Sequence, residues 1–172
     1  MSTRSYVGII EKDGKVKFGY HHSDSHLESL GIDLFQSIKN KNDVKKVENF
    51  TTISDEEMER KEYFDVTNND IFIEFCYAFD MNDNEWYVSS CHFMDGKEHK
   101  LKDIVKDDAQ MECYADMYYE EYRESIITKI RENIPSEKDM KMFDEAAKAS
   151  GDEVCEFLAM VNNDDVDLRD LV

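Results

Sequence analysis

Two histidines near the N-terminus have the spacing of a metal-binding pair. His22 and His26 stand four residues apart, so one helix face would bring both imidazoles to the same ion, and Asp24 lies between them as a candidate third ligand. A zinc site also needs a further ligand and an outer shell of hydrogen-bond partners, for which the sequence shows no pattern. We therefore expect structural or solvent-exposed roles for both histidines, and neither a metal nor another cofactor.

The segment 80–84 begins like a calcium-binding loop. Asp80, Asn82 and Asn84 place oxygen ligands at the first, third and fifth positions of such a loop. Glu85 then stands where the sharp turn requires glycine, and Cys91 stands where a bidentate glutamate should close the shell. The segment is better interpreted as the turn of a β-hairpin.

Ser2 is the one candidate nucleophile whose position matters. Removal of the initiator methionine would expose its amine at the head of a strand, the arrangement that N-terminal nucleophile hydrolases use. The sequence names no companion residues for an oxyanion hole, and it contains no phosphate-binding glycine loop, Gly-x-Ser-x-Gly motif or kinase signature. We expect a protein that is not an enzyme, with a hydrolase using Ser2 as an alternative.

The most regular pattern is a row of carboxylates in the segment 109–133, which the sequence predicts to be one helix ending before Pro135. Acidic residues four apart would follow one another with a rise of about 6 Å, opposite an apolar stripe rich in tyrosine. The acidic side consists of Glu112, Asp116, Glu120, Glu121 and Glu124. Such a row can compete with nucleic acid phosphates for lysine and arginine, although an ordinary Glu-rich surface helix would give the same pattern.

The net charge of −19 is concentrated toward the C-terminus. The first fifty residues carry eight basic and seven acidic side chains, whereas residues 107–172 carry seven basic and nineteen acidic ones. This imbalance favours a fixed negative surface whose counterpart is a basic protein surface, although acidity also serves solubility alone. Repulsion makes nucleic acid and anionic membranes unsuitable as direct ligands.

The location of the protein is inferred from its cysteines and its apolar segments. Four widely spaced cysteines form no Cys-x-x-Cys pair, and the N-terminus lacks a secretory signal. No apolar stretch approaches the length of a membrane span. We expect the protein in a reducing cytoplasm.

Hydrophobic periodicity predicts strands first and helices afterwards. Strands are predicted at 6–10, 16–20, 71–79, 86–93 and about 99–104, and helices at about 25–39, 44–50, 55–61, 109–133, 137–149 and 152–161. The predicted fold class is α+β: an N-terminal antiparallel β-sheet of hairpins with a helix over residues 1–106, followed by an acidic helical region over 107–172. The two regions are expected to form one compact unit.

The N-terminus resembles a group of small phage and mobile-element proteins. Residues 2–9 read Ser-Thr-Arg-Ser-Tyr-Val-Gly-Ile and precede Asp13-Gly14, as in that group. A Tyr-x-His-x-Asp-Gly segment precedes a helix there, and Tyr20, His22 and Asp24 match it, while Ser25 replaces the glycine. The resemblance covers roughly the first 35 residues. It implies a phage habitat, and therefore the cytoplasm of a bacterial host cell as the location. Small acidic proteins of phages often inhibit host defences by imitating nucleic acid.

Charge and resemblance together predict a phage-encoded acidic inhibitor. It would mimic nucleic acid and block the DNA- or RNA-binding groove of a bacterial defence nuclease, either a CRISPR effector or a restriction enzyme. The expected partner-binding residues are Glu112, Asp116, Glu120, Glu121, Glu124, Asp144, Glu145, Asp152, Glu153 and Glu156. The alternative in the binding class is an acidic protein–protein adaptor without nucleic-acid mimicry.

Overall fold

The computed structural model describes residues 3–135, and its first feature is the hairpin that Asp13-Gly14 predicts. β1 (Arg4–Ile10) and β2 (Lys15–His22) run antiparallel, with Ile10 opposite Val16. Gly14 in the turn has a φ of +87°, a left-handed value that glycine adopts without steric cost. The prediction of an N-terminal hairpin is confirmed.

Four further strands complete a six-stranded mixed sheet. They are β3 (Glu57–Glu59), β4 (Phe75–Asp80), β5 (Glu85–Ser90) and β6 (His99–Lys100), and the spatial order is β3-β2-β1-β4-β5-β6. β1 and β4 are parallel, and the other neighbouring pairs in the described chain are antiparallel. The α+β class is confirmed. The sheet is mixed rather than made of hairpins alone, because the connection from β2 to β4 brings β4 alongside β1 in the same direction.

The helices lie between and after the strands. A π-helical turn (Leu27–Gly31) leads into α1 (Ile32–Ser37), and a 3₁₀ helix (Val44–Asn49) follows. The others are α2 (Arg60–Asn69), α3 (Leu101–Ile104), α4 (Asp108–Ala115) and α5 (Glu120–Asn133). Within residues 3–135, no helix has the length and apolar character needed to cross a membrane.

Side chains of the central strands alternate between two cores on opposite faces of the sheet. The larger core lies under the π-helical turn, α1 and α3–α5, and from β1 and β4 it receives Val7, Phe75, Tyr77 and Phe79. The smaller core lies under α2 and receives Ile10, Cys76 and Ala78. Every residue of β4 is therefore buried, which explains why the strand is apolar from Phe75 to Phe79, before Asp80 at its end.

The edge strand β3 replaces a predicted helix. The sequence predicts a helix over 55–61, but α2 begins only at Arg60. Met58 of β3 lies opposite Val16 and packs on the smaller core, while Glu57 forms ion pairs with Lys15 and Lys17 at 3.5 and 3.6 Å. These cross-strand contacts outweigh the helix propensity of the glutamates, which is a weak preference.

A change in the phase of the apolar stripe explains why the predicted helix over 109–133 is two helices. Met111 and Tyr114 are buried in α4, whereas Ile127 and Ile130 are buried in α5. In a continuous helix, Ile127 would lie about 220° around the axis from Tyr114 and would face away from the core. The break at residues 116–119 returns both stripes to the larger core.

Gly19 lies where β2 passes closest to the loop that follows the 3₁₀ helix. A Cβ atom there would overlap the carbonyl oxygen of Thr52 and would lie 2.5 Å from Oγ1 of Thr51. We expect Gly19→Ala to lower the free energy of unfolding by about 1–3 kcal/mol, as measured by urea denaturation. Gly31→Ala is the matched control, since the nearest atom, Cε1 of Tyr77, lies 3.4 Å away. Equal losses in the two variants would contradict this prediction.

Candidate acidic interface

The break between α4 and α5 divides the predicted row of carboxylates. Glu112 lies in α4, Asp116 lies in the connection, and Glu120, Glu121 and Glu124 lie in the first two turns of α5. The four-residue spacing therefore does not produce one continuous row on one helix. The physical reason is the change of phase in the apolar stripe. Two helices bury more apolar surface than one continuous helix would, and this burial outweighs the regular spacing of the carboxylates.

Arg123 neutralises the first part of the row. Its Nη2 lies 2.9 Å from Oε2 of Glu112 and 2.8 Å from Oδ1 of Asp116. Glu112 lies within α4 and Asp116 lies just after it, so the guanidinium of Arg123 links α5 to the end of α4. Glu112 and Asp116 are exposed, but they share a cation of this chain and are less available to a partner than a free carboxylate.

The second part of the row is free of such pairing. Glu120, Glu121 and Glu124 are exposed and form no ion pair within residues 3–135. Glu120 and Glu121 occupy the first turn of α5, where the helix dipole stabilises negative charge. These three side chains thus carry their charge without intramolecular compensation from another side chain in the described part of the chain.

Two exposed tyrosines accompany these carboxylates. Tyr119 is 81% exposed and Tyr122 is 52% exposed, whereas most large apolar side chains of the described chain are covered. Tyr119, Glu120 and Glu121 line a shallow depression at the start of α5. We call Tyr119, Glu120, Glu121, Tyr122 and Glu124 the α5 acidic surface.

The other two tyrosines of the predicted stripe have a structural role. The hydroxyls of Tyr114 and Tyr118 both donate hydrogen bonds to the carboxylate of Glu28, which is buried in the π-helical turn. The backbone N–H of Leu27 donates to the hydroxyl oxygen of Tyr114 at 3.2 Å. Burial and the charge of Glu28 raise the pKa of Tyr114, and burial together with the hydrogen bond to Glu28 raises the pKa of Tyr118. Both phenols therefore remain donors at neutral pH.

The two histidines of the predicted metal pair lie on different elements. His22 ends β2, and its Nδ1 is 3.0 Å from the hydroxyl of Tyr20. His26 precedes the π-helical turn, and its Nε2 is 2.6 Å from Oγ1 of Thr3. Ser23 and Asp24 have left-handed backbone conformations between them, so the pair shares no helix face. Residues 3–135 hold no group of three side chains suited to a metal ion.

Several residues of the sequence prediction lie outside the described residues. They are Ser2 and the secondary acidic candidates Asp144, Glu145, Asp152, Glu153 and Glu156. The turn at 80–84 joins β4 to β5, with Asn84 in a left-handed conformation, which confirms the hairpin interpretation of the calcium-like segment.

Comparisons with protein-family models, with curated proteins and with solved structures gave no match.

Sequence reasoning missed the division of the tyrosines between core and surface. The signal was present in the isoleucines of α5, because Ile127 and Ile130 are out of phase with Tyr114 on a continuous helix. No local signal marks Glu28 as the acceptor, since Tyr114 and Tyr118 follow it by 86 and 90 residues.

Tyr114→Phe should destabilise the fold because it leaves the buried carboxylate of Glu28 with one tyrosine donor. We expect the free energy of unfolding to fall by about 1–3 kcal/mol, as measured by urea denaturation at pH 7. Tyr122→Phe is the matched control, since that side chain is half exposed and should change stability by less than about 0.5 kcal/mol. Similar values for the two variants would show that Glu28 does not depend on Tyr114.

Stability should fall as the pH rises above about 10, the ordinary pKa of tyrosine. The folded protein holds the proton of Tyr114 to higher pH than the unfolded chain does, so alkali favours unfolding. Tyr114→Phe removes this linkage and should make the slope of unfolding free energy against pH shallower by about 0.7 kcal/mol per unit on average between pH 9 and 11, half of the limiting value of about 1.4 reached at higher pH. The measurement is urea denaturation at several pH values between 9 and 11, and identical slopes in the two proteins would refute the linkage.

Proposed function

We propose that this protein acts by binding rather than by catalysis, and that the α5 acidic surface docks on a cation-lined surface of a partner protein. The observation that carries the proposal is the cluster of exposed carboxylates without ion pairs in the described chain, Glu120, Glu121 and Glu124, beside two exposed tyrosines. The net charge of −19 adds a long-range attraction for a basic partner.

Tyr119 and Tyr122 can contribute the binding free energy that the carboxylates alone do not. Exposed ion pairs contribute little free energy individually, typically about 0–1 kcal/mol, so three carboxylates speed association more than they hold a complex together. Tyrosine is enriched among the residues that dominate binding energy, because it buries a large ring while its hydroxyl keeps a hydrogen bond. The carboxylates attract the partner, and Tyr119 and Tyr122 are suited to hold the complex together. The face of either ring can also bind an arginine of the partner through a cation–π interaction.

In its most specific form, the proposal is that the protein is a phage-encoded inhibitor of a bacterial defence nuclease. A groove that binds DNA or RNA is lined with lysine and arginine, which is the surface that an acidic helix end with stacking rings complements. The N-terminal resemblance to phage and mobile-element proteins supports this setting. The carboxylates of Glu120, Glu121 and Glu124 would take the positions of phosphates, without the continuous row predicted from the sequence.

An acidic adaptor without nucleic-acid mimicry is the second candidate, and one observation favours it. Arg123 pairs with Glu112 and Asp116, so the unpaired carboxylates of the predicted row are those at the start of α5, and they do not follow a phosphate-like path along two helices. A short acidic and aromatic patch fits many basic protein surfaces. The two candidates differ in whether the partner's nucleic acid competes for the same groove.

The triple variant Glu120→Lys, Glu121→Lys, Glu124→Lys should lose its partner. We expect affinity to fall by at least about a hundredfold, because like charges placed across an interface cost several kcal/mol. The partner is first captured from bacterial lysate with the wild-type protein at low salt and identified by mass spectrometry, and binding of the purified partner is then measured by calorimetry.

The matched control is Asp55→Lys, Glu56→Lys, Glu59→Lys, which changes the net charge equally at exposed positions at and before β3. Equal loss of affinity in both triple variants would mean that net charge, and not the α5 acidic surface, drives binding. Duplex DNA or guide RNA added to the wild-type complex separates the two candidates: displacement supports nucleic-acid mimicry, and its absence supports the adaptor.

A further inference from the structure

At one end of the sheet face that α2 packs on, the large side chains of Tyr20 and Phe72 are exposed. Arg4 and Tyr6 of β1, Tyr20 and His22 of β2, and Phe72 of the loop after α2 meet there, and we call these five residues the Arg4 platform. Arg4 lies opposite His22, and Tyr6 lies opposite Tyr20 in the β1–β2 register. The Arg4 guanidinium lies over the ring of Phe72, 5.6 Å from its centroid.

Arg4 has no carboxylate partner among the described residues, although the chain contains 40 acidic side chains. Its Nε is buried and makes no hydrogen bond within residues 3–135. A buried N–H group in this condition is unfavourable, because it is removed from water without gaining an acceptor. An external anion with oxygen acceptors would satisfy the guanidinium.

The platform also offers aromatic surface. Phe72 is 60% exposed and Tyr20 is 48% exposed. The ring centroid of Tyr6 lies 6.5 Å from that of Tyr20 and 4.9 Å from that of Phe18. Arg4 covers one side of the Phe72 ring, so the remaining exposed ring surface is open to a flat ligand. Exposed aromatic rings next to an arginine are a stacking surface for nucleobases.

Hydrogen-bond donors surround the same position. The hydroxyl of Tyr20 lies 3.0 Å from Nδ1 of His22. Burial, followed by the charge of Asp70, raises the pKa of Tyr6, so that this phenol stays protonated. Asp70 and Glu56 are the acidic groups near Tyr6, and they limit how much negative charge the platform can accept.

The net charge of the chain limits how many phosphates a ligand of the platform can carry. Each phosphate that approaches a protein of net charge −19 is repelled, but the repulsion is screened beyond about 8 Å at physiological salt, whereas contact with Arg4 is local. A polynucleotide adds repulsive phosphates beyond the reach of Arg4, and a mononucleotide does not. We propose that the Arg4 platform binds a nucleoside monophosphate, with the phosphate on Arg4 and His22 and the base stacked on Phe72 and Tyr20.

The test is titration of the ¹⁵N-labelled protein with adenosine 5′-monophosphate, adenosine and inorganic phosphate in separate NMR experiments at low salt. We expect adenosine monophosphate to shift the amide signals of the platform residues and to bind more tightly than either fragment. Equal affinity for adenosine and its monophosphate, or no platform shifts up to about 10 mM nucleotide, would overturn the proposal.

Two variants assign the contacts. Arg4→Gln should weaken the monophosphate about tenfold and leave adenosine unchanged, whereas Phe72→Ala should weaken both ligands about tenfold. Lys12→Gln, an exposed lysine beside the hairpin turn at the other end of β1, changes the charge as Arg4→Gln does and should have no effect. Loss of monophosphate binding in Lys12→Gln equal to that in Arg4→Gln would reduce the effect to net charge and overturn the site. The amide spectrum of each variant reports its fold, and the shift map of the wild type tests the site even where a variant fails to fold.

Discussion

The fold of this chain depends on a buried carboxylate. Glu28 sits in the π-helical turn after the first hairpin, and a buried charge without partners is one of the costliest features a protein can contain. The hydroxyls of Tyr114 and Tyr118 offset that cost. Because these residues lie far apart in sequence, one polar contact fixes α4 and the connection to α5 against the segment that leaves β2.

The contact with Glu28 also positions the exposed residues at the start of α5. Tyr118 turns inward to Glu28, and Tyr119, the next residue, is almost fully exposed at the start of α5. The α5 acidic surface is therefore displayed from a backbone held by the core on one side and by the pairing of Arg123 with α4 on the other. A surface held in this way loses little conformational entropy when a partner binds it.

The sequence predicts what local patterns determine and misses what distant contacts decide. Asp13-Gly14 and alternating apolar residues locate the first hairpin, and the turn after Asp80 locates the second. The parallel pairing of β1 with β4 has no local signal, because it depends on the whole connection between them. For the candidate site, periodicity finds the acidic residues, but only the phase of Ile127 and Ile130 reveals that they belong to two helices.

The separation of the buried acid from the exposed ones has a consequence for divergence among relatives of this chain. Glu28, Tyr114 and Tyr118 depend on one another, so a change at one of them requires compensation at the others. Glu120, Glu121 and Glu124 are exposed and form no such buried contacts within the described residues, so each can be substituted without disturbing the core. Relatives should therefore covary at the three buried positions and vary independently at the three exposed ones.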